Sequence, residues 1–175
     1  MTATALLVAD GDDGPSATEI ERLTTALQDA ARPWGRIEVQ GMRPAIADLG
    51  SGEGVPPETV AGEARAWQEG LRDVAAQLDR IRTTKGLRKI VLSFRRALER
   101  YQEAARLFEQ AAEAPSDRRQ GLLDRGIAEA GEGARLYNEA SMELQAARRR
   151  AGLPISSDFP DHPAGQSRVD PRPTD

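Results

Sequence analysis

The chain has 175 residues, enough for one ordinary domain, and 39% of them are hydrophobic but only 4% are aromatic. This composition favours slender helix packing over a thick globular core. The absence of cysteine excludes disulfides, thiolate zinc sites and cysteine nucleophiles. The net charge of −4 is uneven, because residues 1–63 carry eleven acidic residues against four arginines, whereas residues 80–96 carry seven basic residues and no acidic one. Such asymmetry indicates an interaction surface.

The N-terminal segment, residues 1–41, is predicted to be a small strand–helix–strand unit, with a helical appendage as the alternative. Residues 4–9 and 36–40 have the composition of short strands, the second with alternating isoleucine and valine. The helix between them starts at Ser16, which forms a capping box with the glutamate three residues later. Pro33 is expected to end this helix, because proline cannot donate a backbone hydrogen bond.

Three long helices are predicted after a linker. Residues 42–56 are rich in glycine and proline, as linkers are. From residue 57 onward, apolar residues recur alternately four and three apart, which places them on one face of each helix. The helices are expected at about 57–84, 87–114 and 116–151. The face expected in the third comprises Leu123, Ile127, Ala130, Ala134, Tyr137, Ser141 and Leu144.

Short connections join these helices. A turn is expected at residues 83–86, because a continuous helix would carry polar residues along its apolar face there. Pro115 separates the second helix from the third, and Gly152 closes the third. Such short connections predict an antiparallel up–down–up three-helix bundle over residues 57–151. The remaining residues, 152–175, contain five prolines and are expected to be a disordered tail.

Glycines inside the third helix raise the question of a phosphate-binding loop. They lie far inside a predicted helix with no strand before them, so the context of a phosphate loop is missing. The alternative is a groove of small residues, seven apart, that lets another helix approach closely. The residues of this helix-packing groove are Gly126, Gly133, Ala140 and Ala147.

A cluster of positive charge is the main candidate site. The bundle would bring the end of the first long helix, the start of the second and the end of the third to one tip. Helix C-termini favour cations, but a helix N-terminus disfavours those at positions 88 and 89. An anionic group is therefore expected to cover this cluster: an acidic partner protein first, then the chain's own acidic N-terminal segment, then nucleic acid. The basic cluster comprises Arg80, Arg82, Lys85, Arg88, Lys89, Arg95, Arg96, Arg148, Arg149 and Arg150.

No catalytic, metal-binding or cofactor-binding constellation is found in the sequence. The only histidine, His162, lies in the predicted tail. Four glutamates on one face of the third helix are interpreted as a solvated acidic face, because arginines lie at ion-pairing spacing from them. We therefore expect a protein that is not an enzyme.

The leading interpretation is a cytoplasmic helical scaffold or adaptor that binds another protein, or itself, through its helical faces and basic cluster. Neither a signal peptide nor an apolar stretch long enough to span a bilayer is found in the sequence. The alternative is a nucleic-acid-associated protein that binds phosphates through residues 80–96 and 148–150. That alternative ranks lower because the chain is acidic and no aromatic residues are interleaved with the cations on an exposed face.

Overall fold

The computed structural model describes residues 14–45, 47 and 56–156, and these residues are mainly helical, with no strand among them. Helix α1 spans Ala17–Arg36 and continues into a π-helix, Ile37–Met42. Three longer helices follow: α2 (Pro57–Arg80), α3 (Lys85–Glu113) and α4 (Ser116–Arg150). Among the described residues, no helix combines the length with the apolar character that crossing a membrane requires.

Helix α1 begins as expected but does not end at Pro33. The capping box is confirmed: the Glu19 amide donates to Ser16 Oγ over 3.3 Å, and the Ser16 amide donates to the Glu19 carboxylate over 2.9 Å. Pro33 lies inside the helix, which continues because backbone amides after Pro33 still donate to carbonyls of the preceding turn. The amide of Ile37 donates to the carbonyls of Pro33 and Trp34. The prediction that Pro33 stops the helix was wrong.

The strand predicted at residues 36–40 is also wrong, because this stretch is helical. In the predicted strand, Ile37 and Val39 would share a buried face, whereas Val39 is 51% exposed and Glu38 is buried. Glu38 can be buried because Arg43 Nη2 lies 2.8 Å from its carboxylate, so its charge is paired. The other predicted strand, residues 4–9, lies outside the described residues.

Helicity also extends into the range predicted as a linker, residues 42–56. Residues 42–45 are helical, and Met42 and Ala45 are buried against the core. Residues 46 and 48–55 lie outside the part of the chain that the structure describes. The N-terminal helical segment is therefore packed against the long helices at least as far as Ala45.

The three long helices are separate. Non-helical residues 81–84 divide α2 from α3, and Ala114 and Pro115 divide α3 from α4. Helix α4 ends at Arg150 and is followed by Gly152, whose φ of +71° is the left-handed conformation that glycine adopts most easily. The amide of Leu153 then donates to the Arg148 carbonyl over 2.9 Å, which closes the helix end.

Ion pairs between neighbouring helices run in opposite order along the chain. Arg65 of α2 pairs with Glu109 and Glu113 of α3, whereas Asp79, at the other end of α2, pairs with Arg95. Between α3 and α4, Lys89 pairs with Glu143 and Arg100 with Glu129. This order is typical of neighbouring helices that point in opposite directions.

The core is apolar and contains a compact aromatic group. The ring of Trp34 from α1 lies edge-on to Tyr101 of α3 and Tyr137 of α4, with centroids 5.3 and 5.1 Å apart. Phe94 packs edge-on against Tyr137 at 5.2 Å. Such contacts stabilise aromatic pairs beyond the area that they bury. Helix α1 is thereby attached to both α3 and α4.

The apolar face of α4 is the expected one at most positions, because Leu123, Ala134, Tyr137, Ser141 and Leu144 are buried. Ile127 was expected inside but is 45% exposed, while Gly126 beside it is buried. Glycine has no apolar side chain and so adds nothing to the hydrophobic pattern. The spacing of apolar residues therefore predicted that the neighbouring isoleucine is buried.

The first residues of the predicted tail are packed against the helices. Ser156 accepts a hydrogen bond from the Gln28 amide nitrogen over 2.9 Å, and its carbonyl accepts one from Gln145 over 2.8 Å. Residues 157–175 lie outside the described residues.

Candidate interaction surface

The junction between α2 and α3 carries most of the basic cluster. Arg80 is the last residue of α2, Arg82 lies in the connecting loop, and Lys85 is the first residue of α3. The side chain of Thr84, at the N-cap of α3, makes no capping hydrogen bond. All seven basic side chains between residues 80 and 96 are exposed.

The end of α4 lies beside the start of α3. Lys89 Nζ is 2.7 Å from Glu143 Oε1, and Lys89 and Arg150 line the same cavity of about 450 Å³. Arg149 and Arg150 are exposed. Two of the three arginines at the end of α4 therefore lie on the surface, and Arg150 is beside the start of α3.

Arg148 differs from its neighbours because it is buried, with 7% of its surface exposed. Its Nε donates to the Pro154 carbonyl over 2.9 Å, and its Nη1 donates to Thr24 Oγ1 over 3.0 Å. It therefore connects α4 to α1 and to the segment that follows α4. An external anion has no access to this guanidinium, so Arg148 does not belong to the exposed surface predicted for it.

Only part of the basic cluster is neutralised by the protein itself. Arg95 pairs with Asp79 at 2.6 Å and lies 3.7 Å from Glu99, and Lys89 pairs with Glu143. Several exposed members form no ion pair with any described residue. These unpaired cations are Arg80, Arg82, Lys85, Arg88, Arg96, Arg149 and Arg150.

Apolar side chains lie among these cations. A cavity of about 370 Å³ is lined by Arg82, Arg88 and Arg95 together with Ile81 and Leu92. Leu92 is 44% exposed and Ile81 is half-buried. This part of the cluster can contact an apolar side chain as well as an anionic group.

The helix-packing groove of α4 is buried against α3. Gly126, Gly133, Ala140 and Ala147 all lie on the buried face. A methyl group at Gly126 would lie 2.5 Å from the ring of Phe108. The groove is thus filled by side chains of the same chain and offers no open surface.

The acidic face of α4 is paired with cations. Glu129 lies 3.0 Å from Arg100, Glu143 pairs with Lys89, and Arg135 pairs with Glu132 and Glu139. The hydrogen bond from Arg135 lowers the pKa of Glu132 below its usual range. Within the described ranges, no three potential ligand side chains are grouped so that they could hold a metal ion.

Sequence reasoning missed two features near these surfaces. Arg22 of α1 lines a cavity with Arg80 and Arg82, which could not be foreseen while α1 was assigned to a separate strand–helix–strand unit. The ion pair of buried Glu38 with half-buried Arg43 was also missed, although the five-residue spacing of opposite charges was visible.

Comparison with protein families, with curated proteins and with solved structures finds no match to this chain.

Proposed function

We propose that this protein is a non-enzymatic helical scaffold or adaptor that binds another protein through its basic cluster. In this proposal α2, α3 and α4 form an up–down–up bundle, whose junction between α2 and α3 is the docking end. The opposite order of the ion pairs along neighbouring helices supports that arrangement.

The observation that carries the proposal is the group of unpaired, exposed cations around one helix junction. Several arginines along the sides of the bundle, among them Arg65, Arg100 and Arg135, are paired with glutamates, whereas the cluster gathers seven unpaired cations. Like charges held close together repel one another, and an acidic partner would relieve that repulsion. The partner is therefore expected to present clustered carboxylates.

A different protein is favoured over a second copy of the chain. The apolar faces that could support self-association are buried within the chain itself, as the exposed fractions of Leu71 (0%), Leu98 (1%) and Leu144 (0%) illustrate. A second copy would have to bind through other surfaces.

Nucleic acid is the alternative partner, because phosphates would also complement the cations. Proteins that bind single strands stack bases on exposed aromatic side chains. Phe94, the aromatic residue nearest to the cluster in sequence, is 1% exposed and packs against Tyr137. The basic cluster therefore suits carboxylates on a protein surface better than unstacked bases.

The test compares two charge-reversal variants with matched numbers of substitutions. The cluster variant carries Arg88→Glu, Arg96→Glu and Arg149→Glu. The control variant carries Arg72→Glu, Arg118→Glu and Arg125→Glu, at positions that are also exposed but lie outside the cluster. Each is cross-linked in native extract, and the recovered proteins are quantified by mass spectrometry.

We expect one acidic protein to be recovered with the wild type and the control variant but not with the cluster variant. Equal recovery with all three proteins would overturn the proposal. Binding of a labelled oligonucleotide that falls steeply with salt, and that only the cluster variant loses, would replace it with the nucleic-acid alternative.

A further inference from the structure

Another cavity lies between α1 and the loop that joins α2 to α3. Its volume is about 640 Å³, within the range of pockets that hold ligands. Arg22 from α1, Arg80 from α2 and Arg82 from the loop line it. Three separate segments of the chain thus contribute one arginine each.

The cavity contains no carboxylate that neutralises these arginines. Arg22, Arg80 and Arg82 form no ion pair with any residue in the described ranges. Glu19 also lines the cavity, but its Oε2 accepts hydrogen bonds from the Ser16 amide and hydroxyl over 2.9 and 3.0 Å. The one carboxylate of Glu19 is outnumbered by the three arginines, so the cavity wall keeps a net positive charge.

Apolar groups form the rest of the wall. Leu23, Ile81 and Leu87 line the cavity beside the arginines. Guanidinium groups bind carboxylates with two parallel hydrogen bonds, and an aliphatic wall suits an aliphatic side chain. The combination fits a ligand that carries carboxylates next to an aliphatic group.

We propose that this cavity binds an acidic peptide segment of the partner, with a leucine-sized side chain against the aliphatic wall and carboxylates on Arg22, Arg80 and Arg82. This inference rests on the proposed function, because it assigns the docking site for the acidic partner. It adds Arg22 and the N-terminal half of α1 to the surface. A nucleotide is a poorer fit, because none of the lining residues is aromatic and could stack on a base.

The probe is a fluorescein-labelled peptide in which glutamate pairs alternate with single leucines, and binding is followed by fluorescence anisotropy. We expect Arg22→Gln to weaken binding about tenfold, the typical effect of losing one charge-assisted hydrogen bond. Arg80→Gln and Arg82→Gln should act similarly. Arg118→Gln, an exposed position at the start of α4, is the matched control and should leave affinity unchanged.

Two further probes test the ligand class. A peptide with serine in place of each leucine keeps the charge and should bind several-fold more weakly, because the aliphatic contact is lost. Citrate at the same carboxylate concentration should not displace the leucine-containing peptide. Equal binding of both peptides, displacement by citrate, or indifference to Arg22→Gln would each overturn the proposed site.

A further test asks whether acidic residues near the N-terminus of the chain compete with the peptide for the cavity. If replacing Asp10, Asp12 and Asp13 with asparagine tightens peptide binding tenfold or more, the chain itself competes for the cavity, and the site belongs first to its N-terminal segment. An unchanged affinity supports an external partner.

The peptide-binding and cross-linking experiments together distinguish the cavity proposal from the adaptor proposal. If the peptide fails to bind but the cluster variant still loses the native partner, the cavity assignment is wrong and the adaptor proposal stands. If the cluster variant also keeps every partner, both are wrong.

Discussion

Gly133 is a residue at which the packing of α4 on α3 has no room for a side chain. A methyl group added there would lie 2.7 Å from Tyr101 Cδ2 and 3.2 Å from the carbonyl oxygen of Ala97. The Tyr101 ring cannot move away easily, because it is buried and packs edge-on against Trp34. The close approach of the two helices therefore depends on glycine at this position.

We expect Gly133→Ala to destabilise the protein, whereas Gly131→Ala stabilises it. Overpacking costs about 1–3 kcal/mol, against a gain in helix propensity of about 1 kcal/mol. Gly131 is exposed with nothing within 4 Å of an added methyl group, so only the gain applies there. Urea unfolding of both variants measures the difference. A Gly133→Ala variant as stable as Gly131→Ala would show that the helices are farther apart.

Single residues also show how far the sequence could identify the candidate site. The cations at positions 80–96 can be identified from the sequence, because seven basic residues occur there with no acidic residue among them. The burial of Arg148 cannot be predicted from the sequence, since it depends on contacts with Thr24 and with a carbonyl beyond the end of α4. Arg22 is missed for the same reason, because it joins the surface only through contacts distant in sequence.

At the scale of elements, the π-helix is fixed to α2 by close contacts at two glycines. A methyl group at Gly41 would lie 2.5 Å from Trp67 Nε1, and one at Gly70 would lie 2.6 Å from Ile37 Cδ1. The two positions differ in how well they would tolerate a methyl group. The end of the Ile37 side chain can rotate aside, whereas the indole of Trp67 is rigid and buried. Gly41 is thus the more restrictive position for docking this element.

We expect Gly41→Ala to loosen the π-helix from α2 and to lower the free energy of unfolding by about 1–3 kcal/mol. Amide hydrogen exchange over residues 37–45 should become faster, while exchange in the middle of α3 should change much less. Gly62→Ala is the control, because Gly62 is an exposed position of α2 with open space around it. Unchanged exchange at residues 37–45 would contradict the close contact with Trp67.

The elements that the sequence predicts well are those with many repeats of one pattern. Helices α2, α3 and α4 each present several turns of apolar spacing, so a few irregular positions do not hide them. Residues 36–40 offer only Ile37 and Val39 as evidence for a strand, and two residues cannot distinguish a strand from a helix. From the sequence alone, the charged residue Glu38 is expected to be exposed. Its burial is explained only by the ion pair with Arg43 that the structure shows.

At the scale of the whole molecule, helices α1, α3 and α4 share one aromatic centre, and this centre contains both tyrosines of the chain. Tyr101 and Tyr137 are 1% and 5% exposed. Burial, with the nearby carboxylate of Glu38 acting in the same direction, raises the pKa of Tyr137 to about 12 and raises the pKa of Tyr101 well above its usual value. The ionisation of two side chains is thereby coupled to the integrity of the entire bundle.

We expect the protein to lose stability in alkali because both phenols must stay neutral in the folded state. The unfolded pKa of tyrosine is about 10. Since the folded pKa values are higher, the stabilisation is fully present below pH 10 and is lost as the pH rises from about 10 through 12, by about 3 kcal/mol for Tyr137 alone. Urea unfolding at intervals from pH 8 to 11.5, with tyrosinate absorbance recorded in parallel, measures both effects. Tyr137→Phe is the control and should flatten the pH dependence, because one of the two linked ionisations is gone. Tyrosinate that forms near pH 10 while the helices remain folded would contradict the buried location of both rings.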